Sequence, residues 1–408
     1  MNEIRHSVIY DLVTEIIHGN NNLDFASLYK NLKTIDRGYF HAIILQNKIA
    51  PSFIKYINNK DISEFICKAF YEKCKIQAKR YQIQSLQVIN EIREINRLFT
   101  EEGLTCIYLK GVAIQKDYED ISLRPMVDID ILFKREDLLR AYEILHKNNF
   151  VGSDQKQFLD KNNINDFCRH FHHIHVITKN NISIELHHRV TRPRDFKNCP
   201  ISKSFFEDFK SIDYFHEKIN IPSIKNIIIH SLCHLSINSS FKKLLRTLID
   251  IKRISLNHKI CWEDIILKYD NAKIRKSIAL SLELIDLNKG NIQDLDRVKA
   301  DFKKYFPKEE LVLVAQQRLY DISSTDPAEN LLDRFKSFKR LKTIPGVLLP
   351  SRSMLKYRYK IPDPGLSSYV KYYNEQLPKT LFFLQRPKKG KNYLGHNNDL
   401  NNWLDKDL

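Results

Sequence analysis

Asp128 and Asp130 sit two residues apart inside Arg124-Pro125-Met126-Val127-Asp128-Ile129-Asp130-Ile131-Leu132-Phe133, a run that is otherwise apolar and β-branched. On a strand, side chains alternate between faces, so both carboxylates point one way while Ile129, Ile131 and Phe133 point the other. Two like charges held side by side call for a compensating cation, proton or hydrogen-bond network. A divalent metal answers that need best. An isolated D-x-D is more often the solvated face of an edge strand, so the surrounding elements decide.

Upstream lies Ile107-Tyr108-Leu109-Lys110-Gly111-Val112-Ala113, an apolar strand-like run ending in Lys-Gly and followed by a short helical pattern, then Tyr118 and Arg124. Downstream, Ile182-Ser183-Ile184-Glu185-Leu186-His187-His188 alternates again, with Ser183, Glu185 and His187 on one face. The run His170 to Val176 reads as its hairpin partner, turning at Lys179-Asn180-Asn181. Its histidines suit zinc, but no cysteine pair or H-E-x-x-H spacing accompanies them, and polar strand positions beside the acids are the preferred reading.

A strand, a Gly-containing turn, a helix and then a D-x-D strand resembles the nucleotidyltransferase superfamily that includes DNA polymerase β and kanamycin nucleotidyltransferase. Within it, Leu109-Lys110-Gly111, Arg124 and Asp128-Ile129-Asp130-Ile131-Leu132 are most similar to a family of uncharacterised nucleotidyltransferases, and Glu185-Leu186-His187 resembles that family's acid-Leu-His signature. The resemblance makes Glu185 the third acid. Many superfamily members carry Gly-Ser where this chain has Lys110-Gly111, so Lys110 replaces a serine hydroxyl as the phosphate contact, next to backbone N–H groups at a helix start. The resemblance extends to His230, His234, Arg246 and Asp250. By spacing alone, the two histidines could share a metal, although structural or substrate-contacting roles are favoured. Arg246 and Asp250 read first as a helix-surface salt bridge. Facing the cleft, Arg246 would instead bind phosphate, oriented by Asp250.

The composition excludes several other classes. With only ten glycines and neither G-x-x-x-x-G-K-[ST] nor G-x-G-x-x-G, a P-loop kinase and a Rossmann dehydrogenase are set aside. Apolar content of 43% with 28% charged residues is that of a globular protein. No signal peptide or membrane-spanning run is evident, which points to the cytoplasm. Seven scattered cysteines read as reduced packing residues. A formal charge of +17 favours an anionic partner: nucleotide, nucleic acid or acidic membrane surface.

The expected fold is α+β, a small mixed sheet bearing the acids between two helical regions. Residues 1–100 read as N-terminal helices. The clearest runs from Tyr81 to Phe99, with Ile83, Leu86, Val88, Ile89, Ile92, Ile95 and Phe99 as its apolar face. Residues 101–200 hold the α/β core, 201–330 a C-terminal helical domain, and 331–408 a basic extension. That extension mixes Lys and Arg with tyrosines, as at Lys356-Tyr357-Arg358-Tyr359-Lys360, and order is doubtful beyond about residue 385.

The resemblance implies metal-dependent transfer of a nucleoside monophosphate, AMP by abundance, from a nucleoside triphosphate to an unidentified acceptor, releasing pyrophosphate. Asp128, Asp130 and Glu185 would be the catalytic acids and the ligands of two Mg²⁺ ions, Glu185 also helping to deprotonate the acceptor. Lys110, Gly111, Arg124 and Arg246 would hold the nucleotide phosphates. Two other classes stay open: a catalytically inactive nucleotide- or RNA-binding protein on the same fold, and a metal-dependent hydrolase using the histidine-rich strand.

Overall fold

The computed structural model describes residues 2–18, 23–152, 159–161, 164–191, 201–238, 245–287, 292, 294–320, 355, 365–372, 374 and 403–404. Five helices come first: α1 (Asn2–His18), α2 (Phe25–Asn31), α3 (Thr34–Gln46), α4 (Ala50–Lys60) and α5 (Lys68–Glu101). The side chain of Asp24 caps α2 by accepting the Ser27 N–H at 3.0 Å. The buried stripe of α5 is Ser85, Val88, Ile92, Ile95 and Phe99, flanked by Ile89 and Asn96. Ile83 and Leu86 are instead half exposed. At about 100° per residue, Ile83 and Leu86 both fall on the side opposite that stripe, so apolar character alone did not make them core.

The mixed sheet follows: β1 (Ile107–Tyr108), α6 (Lys110–Gln115), β2 (Asp128–Leu132), α7 (Leu138–Lys147), β3 (Val151–Gly152), α8 (Ile164–His170), β4 (His173–Ile177) and β5 (Ser183–His187). Its strand order is β1-β2-β5-β4-β3. β2 and β5 run parallel, the other neighbours antiparallel. Ile129, Ile131, Ile174, Val176, Ile184 and Leu186 are all buried on one face. The alternating positions Asp128, Asp130, His173, His175, Ser183, Glu185 and His187 share the other. Register is thereby fixed, because a one-residue slip would carry the acids into the apolar layer.

After α9 (Ile201–Glu207) comes an antiparallel hairpin, β6 (Phe209–Tyr214) and β7 (Glu217–Pro222), where the sequence reading had only a helical domain. Its two-residue turn, Phe215-His216, has φ of 50° and 72°. Turns with two positive φ values ordinarily announce themselves by Asn or Gly, and this one does not. The hairpin is tied to the core by Asn220 donating to the Cys106 carbonyl at 3.2 Å and to α5 by Asn96 donating to the Lys218 carbonyl at 3.1 Å.

Further helices are α10 (Ile224–Cys233), α11 (Leu245–Asn257), α12 (Trp262–Leu267), α13 (Ala272–Leu287), α14 (Leu295–Asp301) and α15 (Glu309–Tyr320). Beyond residue 385, a doubtful tail by sequence, Leu404 is buried and the Trp403 carbonyl accepts from Lys276 of α13 at 3.0 Å. The basic run 356–360 lies outside the described residues. Among those described, cysteines 67, 74, 106, 168 and 261 are free thiols, and no helix is long and apolar enough to cross a membrane.

Candidate active site

Parallel pairing of β2 with β5 sets Asp130 directly beside Glu185 and Asp128 beside Ser183. The acids expected from Asp128-Ile129-Asp130 and from Glu185 therefore meet on one face. Lys110 reaches them from the start of α6, its Nζ 2.5 Å from Asp130 Oδ1 and 3.7 Å from Glu185 Oε2. His187 Nε2 lies 2.8 Å from Asp130 Oδ1 and 3.1 Å from Glu185 Oε2, so one N–H is shared between two carboxylates. Its Nδ1 faces the Arg189 carbonyl at 3.4 Å.

The charges follow from these contacts. Burial opposes ionisation of Asp130, yet Lys110 and His187 hold its carboxyl well below the usual carboxylate range. Glu185 is likewise lowered against its burial by His187 and Lys110. His187 is raised despite burial by its bonds to both acids. Asp128 moves the other way, pushed up by burial and by the neighbouring Asp130 charge. The strand thus carries two carboxylates of opposite tendency two residues apart.

Lys110 has φ of 45°, the left-handed region that a β-carbon disfavours. The tight turn expected at Gly111 is thus made by the lysine itself. Gly111 serves close approach instead, since a Cβ there would meet Met126 Cγ at 3.2 Å. The Leu109 N–H donates to the Asp130 carbonyl at 2.9 Å, which docks this turn on β2.

A basic flank adjoins Asp128. Arg124 is buried, with its Nε 2.7 Å from Asp250 Oδ1, and the same Asp250 accepts from the Tyr118 hydroxyl at 2.7 Å. Arg246 donates to the Pro125 carbonyl at 3.0 Å, which Arg124 also contacts at 3.1 Å. The surface Arg246–Asp250 bridge expected from spacing is therefore replaced by a buried arrangement, in which Asp250 holds Arg124 and Pro125 holds Arg246. Burial and the nearby Arg124 push Arg246 down to about 10. Lys48, between α3 and α4, is lowered by burial and by Arg246 while Asp128 acts to raise it. Sequence reasoning missed Lys48, because nothing in a helical segment eighty residues upstream marks it as a neighbour of Asp128.

Among the described residues, two sets of three potential metal ligands have donor atoms within 4.8 Å of one another: Asp130, Glu185 and His187, and His172, His173 and His187. Asp128 lies outside both sets. So do His230 and His234, whose rings meet edge-on with centroids 6.5 Å apart. His230 is buried against Phe205 and held well below the ordinary imidazole range by that burial.

The donor chemistry fits a hard divalent cation. Asp128, Asp130 and Glu185 supply only carboxylate oxygens from one sheet face, which is the ligand type Mg²⁺ takes, and a cationic ammonium already sits between two of them. A family model described as uncharacterised nucleotidyltransferase matches residues 33–288. No curated protein and no solved structure gives a significant match to the chain. The matched span covers more than half of the 408 residues and contains every acidic and basic group of the candidate site. The chain belongs to the uncharacterised nucleotidyltransferase family.

Proposed function

We propose that the protein transfers a nucleoside monophosphate, AMP in this reading, from a nucleoside triphosphate to an acceptor hydroxyl. The bond formed joins the acceptor oxygen to the α-phosphorus, the bond broken releases pyrophosphate, and the hydroxyl proton passes to Glu185. The observation that carries the reading is the Asp130–Glu185 pair, placed side by side by parallel strands with Asp128 on the same face. Asp128, Asp130 and Glu185 would hold Mg²⁺, whose contribution when bound is neutralisation of charge on the phosphate oxygens.

The chain's own groups do the rest. Lys110 turns its ammonium from the acids to the triphosphate, and Lys48 and Arg246 receive the phosphate tail beside Asp128. Arg124 acts indirectly, fixing the approach to β2 through Asp250 and Pro125. His187 keeps Asp130 and Glu185 in mutual register by bonding both.

The test supplies purified protein with each of the four ribonucleoside triphosphates, labelled at the α-phosphate, in a cell extract. The expected result is pyrophosphate release with label on one acceptor, lost in Asp130→Asn. Nucleotide binding without pyrophosphate would make the protein an inactive binder, and unlabelled acceptor with free nucleoside monophosphate would make it a hydrolase.

A further inference from the structure

His173 and His187 are direct partners across antiparallel β4 and β5, so their side chains project from the same face at closest spacing. His172 immediately precedes β4, and its carbonyl accepts the His188 N–H at 3.1 Å, which pins it beside the strand pair. The three rings gather closely. His172 Nε2 lies 3.1 Å from His173 Nδ1, and the His187 ring centroid is 5.5 Å from that of His172 and 5.0 Å from that of His173. Glu185 Oε2 borders the group, 3.1 Å from His187 Nε2 and 3.7 Å from His173 Nδ1.

Around a tetrahedral ion with bonds of about 2.0–2.1 Å, neighbouring ligand atoms are roughly 3.3–3.4 Å apart. The His172–His173 separation of 3.1 Å is close to that value, and ligand atoms of all three histidines lie within 4.8 Å of one another. We infer that His172, His173 and His187 form a three-imidazole transition-metal site that binds Zn²⁺ or a similar borderline divalent ion. Three imidazoles select such an ion over Mg²⁺, which requires oxygen donors. Coordination replaces the Nε2 proton that His187 otherwise shares between the two acids.

This site is separate from the phosphate-facing groups Asp128, Lys48 and Arg246, and it does not depend on the nucleotidyl-transfer reading. It adjoins Glu185, one of the proposed Mg²⁺ ligands, through His187.

The experiment is a titration of the chelator-stripped full chain with Co²⁺, followed by visible absorption in millimolar Mg²⁺ and without nucleotide. We expect one equivalent bound with the intense bands of a low-coordinate nitrogen-rich site, and their loss on adding one equivalent of Zn²⁺. His172→Ala with His173→Ala should abolish the bands, and Asp128→Asn should retain them. If the double variant fails to fold by circular dichroism, His172→Ala alone, at the half-buried strand margin, serves instead and should weaken binding at least tenfold. Weak bands of hydrated Co²⁺ alone, or an unchanged spectrum in the histidine variants, overturn the inference. So does loss of binding in Asp128→Asn only, which would put the ion on the aspartates. A protein that binds Co²⁺ in this way but transfers no nucleotide would leave the site standing and remove the transferase reading.

Discussion

The Lys110 ammonium rests 2.5 Å from Asp130 Oδ1, on a residue that must adopt left-handed backbone to bring it there. The contact makes the two aspartates of β2 unequal. Asp130 is only 2% exposed and bonded to Lys110 and His187, whereas Asp128 carries charge that its surroundings resist.

Both Asp128→Asn and Asp130→Asn should lower transfer by about two orders of magnitude or more, the scale for removing a preorganised charge. Their stabilities should part. Asp130→Asn strips a partner from Lys110 and should cost roughly 1–3 kcal/mol, while Asp128→Asn relieves repulsion and should leave the midpoint unchanged or higher. Urea denaturation of both variants checks this, and equal destabilisation would contradict the assigned asymmetry.

Lys110→Ala and Lys110→Gly remove the same ammonium but differ in backbone freedom. Both should raise the KM for nucleotide and slow transfer. The glycine variant should be the more stable by about 1 kcal/mol, since it accepts φ of 45° without a β-carbon penalty. Comparing kinetics and melting of the pair separates the charge from the turn.

Lys48→Ala and Arg246→Ala should each weaken nucleotide binding about tenfold, close to 1.4 kcal/mol, with a shallower dependence on salt. A fluorescent nucleotide titrated at several ionic strengths measures it. Affinity unchanged in Lys48→Ala would take the N-terminal region out of the site.

His41 bonds the Tyr29 hydroxyl at 2.8 Å and stacks on Phe70, and burial with Arg37 and Lys73 lowers it to about 4. Its unfolded value is about 6.5. Between these values the unfolded chain binds the extra proton, so this contribution is complete above about pH 6.5 and is lost as pH falls toward 4. His41→Phe should flatten that part of the curve by up to about 2 kcal/mol, allowing for the ring's partial exposure. Melting points of both proteins across the window decide it.

Trp403→Ala should lower stability by about 1–2 kcal/mol, because the indole sits over Lys276, whose Nζ is 5.4 Å from the ring centroid. Ending the chain after Gln385 should do the same. Unchanged melting would restore the loose tail expected from composition.

What could be read before folding follows from the range of each signal. The period of two in Asp128-Ile129-Asp130 and in Ser183-Ile184-Glu185 is local, and it placed three acids and their faces. Turn chemistry is local too, but Phe215-His216 carries none of its usual markers, so β6 and β7 went unseen. The electrostatic influence of Asp128 on Lys48 and the contacts of Arg124 with Asp250 and of Trp403 with Lys276 join distant segments, which no short-range pattern encodes. The histidines of β4 stood out as a composition, yet only the pairing of His173 with His187 shows that they converge.

One carbonyl, that of Pro125, accepts both Arg124 and Arg246, and Arg124 is in turn seated on Asp250 of α11. The approach to the acidic strand is thus braced from outside the stretch that carries the motifs. A fragment limited to residues 101–200 would keep Asp128, Asp130 and Glu185 yet leave the Arg124 guanidinium buried without its counter-charge. The signature segment is therefore not a transplantable cassette, and a gene fusion that retained it without α11 would inherit the letters of the site and not its shape.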